Sequence, residues 1–145
     1  MLTGFSDAVS EFSLPMETLG DRQLSKEISP AALRLFFRLA ERWRLSISQQ
    51  RVLLGSISRQ TYYNWRDGKV GVLSRDQLER ISLLLGIHSG LKLLFADDAS
   101  AERWLTGANS DVPFGGSAPL GRMTQGSIDD LYAVRRYIDA WRGMK

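Results

Sequence analysis

Between Leu33 and Trp43 the apolar residues Leu33, Phe36, Phe37, Leu39, Ala40 and Trp43 recur at steps of three and four, the spacing that lines one face of an α-helix. Arg34, Arg38 and Arg42 fall four apart on another face. Ser29 followed by Pro30 predicts the start of this helix: serine can accept from the open N–H groups of a first turn, and proline there gives up a donor that has no partner. The helix is expected to reach about Arg44. Upstream, residues 1–25 show no sustained period and read as a flexible or weakly helical N-terminal arm.

Short helices follow. In SISQQRVLLG, Ser46 or Ser48 can cap a helix and Gly55 can end it in the left-handed conformation. SISRQTYYNWRDGK predicts a second helix over 59–66, capped by Ser58, stopped by Asp67-Gly68, and turned inward at Tyr62 and Trp65. Ser74 with Gln77 is a capping box for a helix carrying Leu78, Ile81, Leu84 and Leu85, which Gly86 is expected to close. Two more stretches are expected over 89–95 and 99–105, the second with Asp97-Asp98 at its positive end. From 106 to 126 the Gly, Ser, Asn and Pro content predicts a long connection. Ser127 then caps a last helix with Asp129 and Asp130 in its first turn and Arg142 near its end. One face of that helix carries Leu131, Val134, Ile138 and Trp141, and a second stripe carries Ala133, Tyr137, Ala140 and Met144. A single core contact would leave one stripe exposed, which suits a partner surface or a cover from another part of the same chain. No alternating strand pattern occurs, so the expected fold class is all-α.

Length and composition narrow the function. A chain of 145 residues holds about one domain, or two small helical units sharing a boundary. No apolar run approaches 18 residues, and the first residues lack the basic and apolar regions of a signal peptide, so no membrane partner is expected and the cytoplasm is the expected compartment. The absence of cysteine removes disulfides and thiolate chemistry, and one histidine, His88, offers no pair for a metal. His88 reads as a surface or capping residue at a helix junction rather than a catalytic base. Lys69 after Gly68 lacks the upstream glycine of a phosphate-binding loop, and Asp97-Asp98 and Asp129-Asp130 are explained as helix caps. No catalytic constellation, cofactor or metal site emerges. Charge is unevenly placed: residues 26–80 hold eleven bases against five acids, while 81–145 balance at seven each. A basic block of this kind suits an anionic partner.

Within that block, two short helices joined through Gly55 have the sequence form of a helix-turn-helix. The second displays Arg59, Gln60, Thr61 and Asn64, with Ser56 and Ser58 at its N-terminal turn and Arg66 and Lys69 at its end. Arginine matches the two acceptors of guanine, and Gln or Asn matches the donor and acceptor of adenine. Serine, threonine and a helix N-terminus match phosphate. These eight residues are the DNA-binding candidates. Tyr62 and Tyr63 read as inward-packing or backbone-flanking, with no base contact assigned.

Gly55 followed by RQTYYNWRDGK resembles the recognition-helix end of Xre-type repressors, with a turn about one residue longer than the phage-repressor form. Beyond it, LLGIHSGLKLLFADDASAERWLTGANSDVPFGGSAPLGRM resembles the C-terminal region of the Xre/MbcA/ParS antitoxin family. There a Trp-Leu pair, an Asn, a Gly and a Pro-Leu lead to a final helix, matched here by Trp104, Leu105, Asn109, Gly116, Pro119 and Leu120. The Gly-rich loop before Pro119 is somewhat longer than in the family. Altogether the resemblance spans about Ser29 to Gly143.

The resemblance implies a non-enzymatic antitoxin of a type II toxin-antitoxin system, one that neutralises a RES-domain, NAD-consuming toxin and represses its own operon. It places an Xre-like helix-turn-helix domain at 26–96 and a toxin-binding domain at 97–145. By position, the toxin-binding candidates are Pro119, Leu120, Arg136, Tyr137, Ala140, Trp141, Met144 and Lys145. The implied partners are the RES-domain toxin, operator double-stranded DNA and a second copy of the chain, since such repressors read paired half-sites as homodimers within a larger complex. The competing readings are a stand-alone helix-turn-helix regulator and an interaction module that binds no DNA.

Overall fold

The computed structural model describes residues 4–12 and 22–143, and every regular element within them is helical: α1 (Phe5–Glu11), α2 (Arg22–Arg42), α3 (Ile47–Leu53), α4 (Arg59–Arg66), α5 (Arg75–Leu94), α6 (Asp98–Thr106), α7 (Pro119–Met123) and α8 (Ile128–Gly143). Side-chain caps set many of the boundaries. Ser46, Ser58 and Ser74 accept from the backbone N–H groups of Gln49, Thr61 and Gln77, and Gln49 and Gln77 return the bond to Ser46 and Ser74. Each cap satisfies donors that the first turn would otherwise leave open. Asp97 caps α6 in the same way by accepting from the Ser100 N–H. Gly55 and Gly68, at φ of 101° and 84°, let the chain leave α3 and α4 in a conformation that a side chain resists.

α5 is the central element, packed on α2 along one side and on α8 along the other. Leu78, Ile81, Leu83, Leu84, Leu85, Ile87 and Leu91 are all buried, so apolar groups surround this helix instead of forming one stripe. α2 supplies Ala32, Leu33, Leu35, Phe36, Leu39 and Ala40, and α8 supplies Leu131, Val134 and Ile138, to one continuous core. Leu53, Leu54, Ile57 and Tyr62 of the α3–α4 hairpin join it, as does Trp43 just past the end of α2.

Three expectations are corrected here. α5 does not end at Gly86; it continues through Gly86 and Gly90 to Leu94, absorbing the separate helix expected over 89–95. The two glycines face α8: a Cβ on Gly86 would overlap the Arg135 guanidinium, and one on Gly90 would stand 2.5 Å from Ile138 Cγ2. They are there for close helix approach rather than for termination. α2 begins by Arg22, not at Ser29, and Pro30 lies inside it. Ser29 is buried, donates to the Ser25 carbonyl and accepts from the Leu73 N–H at 3.0 Å, so it ties α2 to the segment leading into α5 instead of capping a helix. His88 is no surface group at a junction either, since it is buried in mid-α5.

Within the arm expected over 1–25, α1 is docked on α2 and α5 with Phe5 and Val9 in the core. The guanidinium groups of Arg38 and Arg42 each lie 5.0 Å from the Phe5 ring centre, the His88 ring meets it edge-on at 4.9 Å, and Ser6 Oγ is 3.1 Å from His88 Nε2. No helix among the described residues is long and apolar enough to cross a membrane.

Candidate nucleic-acid and partner interfaces

α3 and α4 meet through a turn at residues 54–58 in which Gly55 and Ser56 both take positive φ. The Arg51 guanidinium donates to the Ile57 carbonyl at 2.9 Å and closes the turn from within α3. A second tie fixes the helices to each other: the Tyr62 hydroxyl donates to Gln50 Oε1 at 2.8 Å, and Gln50 Nε2 donates to the Leu45 carbonyl at 3.0 Å. Burial pushes the Tyr62 phenol above its ordinary value. The hairpin is therefore rigid where it turns, and its outer face is defined by what the inward residues leave out.

That outer face holds the DNA-binding candidates in different states. Arg59 and Lys69 are exposed and carry no ion pair or side-chain hydrogen bond among the described residues. Ser58 Oγ is occupied by the Thr61 N–H at 3.1 Å and donates to Thr61 Oγ1 at 3.0 Å, so both hydroxyls are tied to the cap. Gln60 Nε2 donates to Asn64 Oδ1 at 3.0 Å, which orients the two amides as a pair on the surface. Arg66 lies over the Phe37 ring at 4.9 Å, its polar edge left for a partner. Ser56 is exposed on the turn.

The basic block seen in the sequence is only partly a surface for anions. Arg42 pairs with Asp98 at 3.1 Å, Arg80 with Asp76 at 2.7 Å and Arg75 with Glu79 at 4.0 Å, while Arg38 covers Phe5. Arg59, Arg66 and Lys69 remain exposed around the hairpin, and Arg44, also exposed, lies 3.8 Å from the Glu102 carboxylate.

The C-terminal half of the chain gathers five aromatic rings. Trp104 of α6 stacks on Tyr137 of α8 at 6.0 Å and meets Phe114 at 5.8 Å. Phe114 meets Tyr137 at 5.0 Å, and Phe95 meets Trp141 at 5.6 Å. The long connection is held down rather than loose: Arg122 donates to Asp130 Oδ1 at 2.8 Å and to the Pro113 carbonyl at 2.9 Å, and Asn109 exchanges backbone bonds with Gly116 and Ser117. Tyr137 donates to Asp111 Oδ2 at 2.6 Å, a bond to a carboxylate that raises the phenol above its ordinary value. Asp111, Tyr137, Ala140 and Trp141 line a cleft of about 410 Å³.

Of the toxin-binding candidates, Tyr137, Ala140 and Trp141 come together at this cleft. Arg136 is exposed on α8. Pro119 and Leu120 are buried in α7 and support α8 from beneath without forming its surface. Met144 and Lys145 lie outside the described residues. The sequence reading missed Asp111, Phe114 and Val112 at this end; Val112 is 89% exposed. The usable signal was an aromatic residue, Phe114, inside an otherwise polar loop.

A two-helix hairpin closed by Tyr62–Gln50 and a cleft lined by α8 are built on separate elements that both flank α5. Residues 22–86 match the Antitoxin Xre-like helix-turn-helix domain, and residues 91–143 match the Antitoxin Xre/MbcA/ParS C-terminal toxin-binding domain. The chain belongs to this antitoxin family, whose domains bind and regulate and are not enzymes. It is 43% identical over 114 residues to the uncharacterized protein y4oB of Sinorhizobium fredii (strain NBRC 101917 / NGR234), a span covering 79% of this chain and 86% of that protein. No solved structure matches the chain.

Proposed function

We propose that this antitoxin neutralises a RES-domain, NAD-consuming toxin through the cleft beside α8 and, as a homodimer, represses its own operon through α4. The functional division proposed is DNA contact within residues 26–96 and toxin contact within 97–145. The observation that carries the two-part reading is that its surfaces are built on different elements: the exposed Arg59, Gln60 and Arg66 lie on α4, while Tyr137, Ala140 and Trp141 of α8 line a separate cleft with Asp111. One chain can then hold DNA and a protein at once.

Arg59 and the Gln60–Asn64 pair supply base-edge chemistry, and Arg44, Arg66 and Lys69 supply phosphate contacts. At the other end, rings that are half-buried in the free chain gain a second apolar neighbour when a toxin covers them, the usual source of interface energy. A toxin segment seated in the cleft replaces water around Trp141 and Tyr137 while Asp111 and Arg136 supply the polar rim.

The test is co-expression with the product of the adjacent reading frame, followed by an NAD-consumption assay of that partner alone and with this chain. The expected result is a stable complex and loss of NAD consumption, abolished by Trp141→Ala together with Ala140→Asp. Untouched NAD consumption would remove the RES assignment. In the same preparation Arg59→Ala is expected to abolish operator binding and leave the toxin complex intact. Loss of both together would argue against two separate surfaces.

A further inference from the structure

The most exposed side chains of α4 are those of Arg59, Gln60, Tyr63 and Arg66, whereas Thr61, Asn64 and Trp65 are half-buried and Tyr62 is buried. Tyr63 is the one apolar group of the four. It follows Arg59 by four positions and precedes Arg66 by three, so all three lie along one line of the helix. Its ring is 47% exposed, yet it is not loose: it meets Tyr62 edge-on at 5.4 Å, and Tyr62 is anchored through Gln50. Its hydroxyl makes no hydrogen bond among the described residues.

Tyr63 also borders a groove of about 350 Å³ between α2, α3 and α4. Ile47, 41% exposed, stands on the same groove, and Arg44 and Arg66 flank it against one carboxylate, Glu41. An aliphatic and an aromatic side chain bordering one groove between cations make a small mixed apolar and basic patch. They fit a polyanion that presents small apolar groups at regular positions. Duplex DNA does so in its major groove, where each thymine displays a C5-methyl group beside the hydrogen-bonding edges.

We propose that Tyr63 is a specificity-determining residue of the DNA-binding face, its ring packing on the C5-methyl of a thymine while Arg59 and Arg66, one turn to either side, hold the neighbouring guanine edge or phosphate. The inference rests on the DNA-binding reading above and adds a base preference to it. Ile47 extends the apolar surface toward the next base pair. The Tyr62 contact sets the direction of the ring, which makes Tyr63 a reader rather than a flexible filler.

The test uses the full chain and a duplex enriched by the wild-type protein from a random-sequence pool, alongside the same duplex with deoxyuridine replacing every thymine, which removes only the methyl groups. Tyr63→Phe is expected to bind within about twofold of wild type, and Tyr63→Ala to bind about 5- to 30-fold more weakly, in keeping with the loss of one apolar base contact. The uracil duplex should weaken the wild type by a similar factor and leave the Tyr63→Ala protein unchanged, because the methyl and the ring act as one pair. An equal loss on uracil DNA for both proteins would overturn the proposal. So would a loss in Tyr63→Phe as large as in Tyr63→Ala, since the hydroxyl would then be contacting phosphate. Helix content by circular dichroism separates these outcomes from misfolding. If Arg59→Ala loses binding while the Tyr63 variants and uracil do not, the thymine contact alone falls. If the wild type enriches no duplex, the DNA-binding reading falls and takes this inference with it.

Discussion

His88 has 4% of its surface exposed and shares its surroundings with Arg42 of α2, Lys92 of α5 and Asp98 of α6. Burial lowers its pKa to about 4 from an ordinary 6.5; Arg42 and Lys92 push the same way, and Asp98 opposes them. The folded chain therefore resists a proton that the unfolded chain accepts. The resulting stability is fully present above pH 6.5 and is lost as pH falls through the window from 6.5 to about 4, by about 3 kcal/mol in all. Urea denaturation at pH 7 and pH 4.5 is expected to show this loss, and His88→Gln should reduce it. A second residue-scale outcome concerns Tyr62, whose hydroxyl bonds to Gln50 out of contact with water. Tyr62→Phe leaves the Gln50 oxygen without its donor and is expected to cost about 1–2 kcal/mol of stability in the same denaturation assay. The roles of these two residues were not legible at the same level. Helical spacing was enough to turn Tyr62 inward. The position of His88 depended on α5 being continuous, which a glycine at 86 argued against.

At the scale of elements, two glycines on α5 make contrasting predictions. Gly86 faces the far end of the flexible Arg135 side chain, which can swing aside, and alanine favours a helix by about 1 kcal/mol. Gly86→Ala is expected to leave the thermal midpoint unchanged or slightly raised. Gly90 faces the stiff, β-branched Ile138, itself fully buried, with Arg142 Cδ 3.7 Å away. Gly90→Ala forces α5 and α8 apart and is expected to cost about 1–3 kcal/mol despite the gain in propensity. The companion Ile138→Leu, which takes the Cγ2 methyl off the β-carbon, is expected to recover part of that loss. Caps behave differently because their partners are three residues away. Ser46, Ser58, Ser74, Asp97 and Ser127 were all recognisable from local sequence, and the Ser74→Ala cap deletion is expected to cost about 1 kcal/mol by the same assay. The Ser29-Pro30 signature misled because the Ser29 hydroxyl is engaged by Leu73, 44 residues away.

In the whole molecule, α5 belongs to both functional halves. Arg80, buried on α5, approaches the Gly55 turn of the reader on one side and donates to the Gly126 carbonyl ahead of α8 on the other. The two halves should therefore unfold as one cooperative unit. Tryptophan fluorescence, which reports chiefly on the aromatic cluster and on Trp43 and Trp65, and far-ultraviolet circular dichroism are expected to give coincident urea transitions. Two separated transitions would show independent domains. Charge makes a second prediction at this scale. Of the eleven bases in residues 26–80, Arg59, Arg66, Lys69 and the Glu102-paired Arg44 surround the hairpin, so on the proposed DNA-binding reading about four phosphates per chain would be neutralised. The slope of log K against log salt concentration should then lie near −3 to −4 per chain, well short of what eleven free bases would give. By itself the sequence determined the all-helical class, the reader hairpin and most helix boundaries, because caps and apolar spacing act over three or four residues. Tertiary structure alone decided that α5 runs unbroken through two glycines, that Ser29 and His88 are buried, and which arginines are taken up by ion pairs. Each of these depends on a partner many positions away in the chain, whose approach no local pattern encodes.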